Sequence, residues 1–326
     1  MSTPETGRLR HVRALQRHLR ISPVTVAIAL MSLVVVIVVV VLLTRLPQHL
    51  AATTGFRWEL AGAAALVVPL IYLGNALSLV AAANWLPPYG RTLQLEVGEA
   101  ITLLLTPANA GSATIRVRFL SRTGLTPPQA ATATGIYSLL TTIVSSAAVA
   151  VAVAASGAEL ARVRNRVPSS RWQVVVVLVV AVGLAVAAIR GQRLRHRLRR
   201  WTADAGHYLH TVSRHPLDGA AIAVGEVLTM AGQVGCLALM VAATANPVKP
   251  AVLLVATQLS FTATTTVPVP GGLGIPDALL VAALVSTGSN ADGAIVAAVG
   301  YRMLTYWLPT LPGTALLYDL YRRHLV

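Results

Sequence analysis

The chain has 326 residues, of which 55% are hydrophobic and only 11% charged, and its mean hydropathy is +0.69. A soluble domain is usually about 25% charged, so an ordinary water-soluble fold is excluded, and the length leaves room for about six to eight membrane spans of ~20 residues. The net charge of +15 is almost wholly arginine, with Lys249 the only lysine, and the arginines cluster between apolar runs. That is the pattern of cytoplasmic loops and not of a nucleic-acid surface.

In chain order, residues 1–23 form a basic segment with Arg8, Arg10, Arg13, Arg17 and Arg20, predicted to be cytoplasmic. The apolar run Val24–Leu43 follows. It is longer than the ~7–15 residues of a signal-peptide core and predicts an uncleaved first span. Further runs are Leu60–Ala83, Pro128–Gly157, Trp172–Ile189, Leu217–Ala243 and Ala291–Leu308. The segment Arg190–Trp201 carries six arginines and His196 and is predicted to be cytoplasmic, as is the basic C-terminus at Arg322-Arg323. Cys236, the only cysteine, excludes an intrachain disulfide and reads as a small core residue.

Two regions fit simple spans poorly. Leu93–Leu120 is broken by Thr106-Pro107-Ala108-Asn109-Ala110-Gly111, and Val252–Ser286 by Pro268 through Pro276. Such breaks free backbone polar groups, which survive at membrane depth only inside protein or beside a watery cavity. Two re-entrant helical hairpins account for both regions; two proline-kinked spans are the alternative. The breaks also resemble each other. Pro107 and Gly111 match Pro270 and Gly274; Ala130, Ala133 and Tyr137 match Ala294, Ala297 and Tyr301, at an offset of 163 to 164 residues. Gly74-Asn75 likewise parallels Gly232-Gln233. An internal repeat follows, with halves at about 24–157 and 172–308 of a single membrane domain, 24–326. Each half would cross the membrane an odd number of times, which inverts the second half. The predicted fold is therefore all-α: a polytopic membrane protein of about six full spans plus two re-entrant hairpins in an inverted repeat. With the N-terminus inside, only the loop of Arg162, Arg164, Arg166 and Arg171 falls on the unexpected side.

The stretch PVPGGLGIPDALLVAALVSTG, followed by YRMLTYWLPTLPG, resembles the flippase-like family named after the transmembrane region of lysylphosphatidylglycerol synthase. The earlier LTPANAGSATIRVRFLSRTGLTPPQA resembles that family's first block, so the likeness spans nearly the whole chain. The resemblance implies a helical protein that moves a lipid or lipid-linked sugar between leaflets. The synthase activity belongs to a soluble domain for which the hydrophilic stretches here leave no room. Where the family commonly has glutamate after Gly-Leu-Gly, this chain has Pro276-Asp277.

Several residues are candidates for a lipid site. The turn Pro270, Gly271, Gly272, Gly274 either presents backbone amides to a headgroup phosphate or only lets two half-helices pack. Pro107, Asn109 and Gly111 form its counterpart. Asp277 either complements a helix N-terminus or pairs with Arg302. Arg302 either snorkels to the interface or binds phosphate in a cavity. Glu226 is the most isolated acid in a full span, where a charge costs about 2.5–3.5 kcal/mol. Glu96 and Glu99 share a helix face near the cytoplasmic entrance, where solvation is an equally simple role. Arg116, Arg118 and Arg122 either gather anionic headgroups or form a plain positive-inside loop. Asp204, His207 and His210 lack the geometry and apolar shell of a metal site, so neither metal nor cofactor is expected, and no enzyme motif stands out. The expected function is a lipid or lipid-linked headgroup translocator of the plasma membrane, acting on anionic headgroups. The alternative is a scaffold or accessory subunit of a cell-envelope lipid enzyme. A homo-oligomer or an envelope-enzyme partner fits either.

Overall fold

Where no water is present to satisfy the backbone, an apolar chain folds as helix. The computed structural model of the protein describes residue 49 and residues 55–105, 110–155, 216–245, 248–266 and 275–326, and no strand occurs among them. The helices are α1 Trp58–Val67, α2 Pro69–Ala82, α3 Tyr89–Leu105, α4 Ala110–Arg122, α5 Pro127–Ala155, α6 Pro216–Ala243, α7 Pro250–Thr266, α8 Ile275–Ser286, α9 Ala291–Arg302 and α10 Thr310–Arg322, with a π-helical turn at Met303–Trp307. Four of them open on proline, where the missing N–H has no helical partner to lose. The predicted spans at 24–43 and 172–189, the basic segment 190–201 and the histidines at 207 and 210 lie outside the described residues.

Among the described residues, three stretches are long and apolar enough to cross a membrane: Trp58–Ala82, Pro127–Ala152 and Leu217–Ala243. They coincide with predicted runs. The final run extends beyond its predicted end at Leu308. Leu308 and Pro309 keep helical backbone angles, so the chain passes from α9 through the π turn into α10 and ends its helical course at Arg322. Proline here rearranges the hydrogen bonds of a helix and does not stop it.

The two broken regions are antiparallel pairs of short helices. In the first, Thr102 and Ser112 hydroxyls stand 3.1 Å apart, and Arg116 reaches both Glu96 (3.0 Å) and Glu99 (2.8 Å). A kinked single span would hold Glu96 and Arg116 about 30 Å apart. In the second, Leu253 and Ala256 of α7 share an apolar cluster with Leu280 and Leu284 of α8. The arms have 17 and 13 residues in the first pair and 17 and 12 in the second, each short of the ~20 residues of a full crossing.

At the centre α2 packs on α6 with backbone against backbone. A Cβ on Gly74 would lie 2.3 Å from the Gly225 carbonyl oxygen, and one on Gly232 would lie 2.9 Å from the Ile71 nitrogen. Small residues permit this approach, which is how helices associate where no hydrophobic effect separates them from lipid.

The ends of the helices define two faces. On one, Trp85 Nε1 donates to Asp218 (2.8 Å) and Arg91 donates to Asp319 (3.0 Å), joining the α2–α3 loop to the start of α6 and the end of α10. Leu120, Leu125, Leu320 and Val326 share an apolar cluster there, which adds the end of α4 and the start of α5. On the opposite face the Arg57 N–H donates to the Ala243 carbonyl (3.0 Å). A second cluster, with Val241, Leu253, Leu284 and Ala294, gathers the end of α6, the start of α7, the end of α8 and the start of α9. The α3–α4 pair thus opens on the first face and the α7–α8 pair on the second.

Candidate functional site

Between these pairs lies a cavity of about 610 Å³, with walls from α2, α3, α4, α5, α6, α7, α9 and the π turn. Its size falls within the ~300–1,000 Å³ of ligand pockets. Its polarity is built by helical spacing. On α5, Thr134, Ser138, Thr141 and Ser145 recur at steps of four and three and line one wall. The hydroxyls of Thr134, Ser138 and Thr141 donate to carbonyls four residues back, so they present oxygen lone pairs without an unpaired donor. Glu226, Thr229 and Gln233 line the cavity from α6 and Asn75 from α2. Thr229 stands 3.0 Å from Asn75 Oδ1, beside the glycine seam that lets the two helices meet.

The charged group of the cavity is Glu96, Glu99 and Arg116. Both carboxylates are buried, at 3% and 2% exposure. Arg116 Nη2 donates to Glu96 Oε2 at 3.0 Å, its Nε stands 2.8 Å from Glu99 Oε1, and its guanidinium lies 4.7 Å from the Tyr137 ring centre. Such a cluster inside a membrane protein is tolerable because each charge has an opposite neighbour, whereas an isolated buried ion costs several kcal/mol. Two carboxylates nevertheless share one arginine, and Glu96 Oε1 has no hydrogen-bond partner among the described residues. Across the cavity, Glu226 accepts a hydrogen bond from Ser145 at 2.5 Å.

Arg302 occupies a different position. It is 4% exposed, and its Nε donates to Asp277 Oδ1 at 2.5 Å and its Nη2 to Thr264 at 3.2 Å. Its guanidinium lies 4.4 Å from the Tyr306 ring centre. The cavity wall in front of it is made by Thr264, Tyr301, Thr305 and Tyr306. Arg302 therefore does not snorkel, and its partner among the acids considered is Asp277. Glu226 bonds Ser145 instead.

Of the predicted site residues, the structure brings Arg116 and Glu226 to the cavity and sets the Asp277–Arg302 pair behind its wall. Gly111 is in the first turn of α4, next to the cavity residue Ser112. Pro107, Asn109, Pro270, Gly271, Gly272 and Gly274 lie outside the described residues. Arg118 and Arg122 are exposed on α4. The expected solvated role of Glu96 and Glu99 needs correction: both are buried against Arg116. The turn at Pro107–Gly111 lies midway between these acids and Arg116, so folding the sequence about that turn would have paired them. The hydroxyl stripe of α5 was legible in the same way, from its spacing.

Residues 24–313 match the family described as the lysylphosphatidylglycerol synthase TM region. The chain belongs to that family. No curated protein and no solved structure matches it. Membership in the lysylphosphatidylglycerol synthase TM region family agrees with an all-helical membrane protein associated with lipids. The buried Glu96–Arg116–Glu99 cluster gives the matched region a polar interior that a passive anchor does not need.

Proposed function

We infer that the protein translocates phospholipid between leaflets, with the polar headgroup passing through the central cavity. The observation that carries this reading is the cavity itself: a hydroxyl- and carboxylate-lined space that contains Arg116, in a chain whose spans are otherwise apolar. Arg116 is the headgroup cation in this reading because it lines the cavity, whereas Arg302 stands behind the wall, bonded to Asp277 and Thr264. A phosphate displaces one carboxylate from the guanidinium and accepts two of its N–H groups. The displaced carboxylate, Glu96, takes up a proton, which avoids an uncompensated buried charge. The inverted repeat is supported by the two hairpins opening on opposite faces, an arrangement familiar from alternating-access transporters. The sequence has no nucleotide-binding loop, so transport runs downhill or is coupled to an ion.

The orientation in this reading puts the face with Arg91, Arg122, Arg322 and Arg323 in the cytoplasm of a cell bounded by its plasma membrane. Among the described residues the opposite face carries, of arginine and lysine, only Arg57 and Lys249, and the larger number of arginines on the first face agrees with the positive-inside rule. The test is reconstitution. Vesicles containing headgroup-labelled phosphatidylglycerol are treated with an impermeant quencher. The protein should make the inner-leaflet label accessible, and accessibility equal to protein-free vesicles would refute translocation.

A further inference from the structure

A second cavity, of about 630 Å³, lies on the other side of Tyr72. It runs between α1–α2, α3 and the π turn with α10, and its walls are almost entirely apolar, with Leu93, Val97, Leu304 and Leu308 among them. Tyr72 lines both this groove and the polar cavity. Its hydroxyl donates to the Thr305 carbonyl at 3.1 Å. Pro309, four residues further on, has no N–H to offer that carbonyl, so the oxygen lacks its α-helical donor and accepts the Tyr72 hydroxyl. One side chain on α2, held to the π turn by one hydrogen bond, is thus the shared wall between a polar and an apolar compartment.

We propose that the apolar groove is the berth of a phospholipid acyl chain while that lipid's headgroup occupies the polar cavity, and that Tyr72 is the threshold between them. The proposal rests on the translocator reading and adds where the tail goes. A headgroup drawn into the protein takes its tails with it. Each methylene moved from an apolar setting into a polar one lowers occupancy about fourfold, so the tails of a lipid whose headgroup lies in the polar cavity stay in an apolar setting. An apolar groove that shares a wall with that cavity, in a chain whose surroundings are hydrocarbon, supplies that setting.

The experiment uses the full chain in vesicles of phosphatidylglycerol, a fraction of which carries a photoreactive diazirine midway along one acyl chain. Adducts are mapped by mass spectrometry, and translocation is read in parallel. The variant is Gly90→Phe. Gly90 lines the groove, and a Cβ there meets nothing within 4 Å, so a side chain can be introduced at this wall without a clash at its first atom. Adducts should concentrate on Leu93, Val97 and Leu304 over the exposed apolar positions Leu139 and Val151. Gly90→Phe, by displacing on the order of two methylenes, should reduce the groove adducts about tenfold. Groove adducts no more frequent than those at Leu139 and Val151, or unchanged by Gly90→Phe, would overturn the tail site. The tail site falls equally if another segment of the chain covers the groove and excludes the label. Groove adducts that respond to Gly90→Phe in vesicles without any translocation would keep the tail site and refute the translocator reading, so the two failures are distinct.

Discussion

Gly74→Ala is a single-atom test of the seam between α2 and α6. The added Cβ would stand 2.3 Å from the Gly225 carbonyl oxygen, 2.5 Å from Thr229 Oγ1 and 2.7 Å from the Thr229 nitrogen, where ordinary contact begins at 3.4 Å. Two of the three atoms are backbone, so no rotamer change relieves them and the helices must separate by about 1 Å, which forfeits a quarter to a half of each dispersion contact along the seam. Overpacking of this kind costs about 1–3 kcal/mol. Alanine returns ~0.5–1 kcal/mol of helix propensity over glycine, so the net expectation is a loss of about 1 kcal/mol. Gly62→Ala is the control: its Cβ meets nothing within 4 Å, and it should gain the propensity alone. The assay is thermal unfolding in detergent, read by a thiol-reactive fluorophore on Cys236, which is buried and the only cysteine. Gly74→Ala should lower the midpoint and Gly62→Ala should hold or raise it. Equal behaviour of the two variants would refute backbone contact at the seam, and with it the placement of Asn75 and Thr229 on a common cavity wall.

Arg302→Leu should destabilise by about 1.5–3 kcal/mol, because it removes the charge-assisted hydrogen bond to Asp277 and the bond to Thr264. Adding Asp277→Leu should recover most of that loss in the same unfolding assay, and a double variant as unstable as Arg302→Leu would contradict the pairing. Arg116→Lys keeps the charge but cannot reach Glu96 and Glu99 with a rigid fork; headgroup translocation should slow, and an unchanged rate would remove Arg116 from the headgroup path. Orientation is checked by Arg122→Cys in a Cys236→Ala background: an impermeant thiol reagent should label it only after cells are opened, and labelling in intact cells would invert the assignment of faces.

The all-helical membrane fold was legible because the chain has too few charges to cover a wet surface and its apolar runs have span length. The described runs reproduce the predicted ones to within a few residues, except the last, which continues past Leu308 to Arg322. The hairpins were legible as broken helices, since proline and glycine in the middle of an apolar run have few other uses. The turn in each break implies antiparallel arms, but which side chains of the two arms meet depends on how the arms pack, and composition alone does not give that. That is why Glu96 and Glu99 passed for solvated residues: three-residue spacing shows a shared face but not what the face meets. Asp277–Arg302 was anticipated as one of two roles for Asp277, and only the geometry separated the ion pair from a helix-end role. The groove beside Tyr72 had no sequence signal, because leucine, valine and proline on a membrane helix look the same whether they face bulk lipid or line a cavity.

The central claim is that the headgroup passes through the polar cavity, and blocking the cavity tests it most directly. Thr142 lines the cavity from α5 and its side chain is exposed to that space, so Thr142→Trp fills it without crowding the packed core. Ala147, five residues along the same helix and also exposed, is not a cavity residue and serves as the control. Initial rates of headgroup accessibility are compared in vesicles reconstituted with equal amounts of wild type, Thr142→Trp and Ala147→Trp. Thr142→Trp should fall to the protein-free rate while Ala147→Trp keeps that of wild type; equal rates for the two tryptophan variants would contradict passage through this cavity.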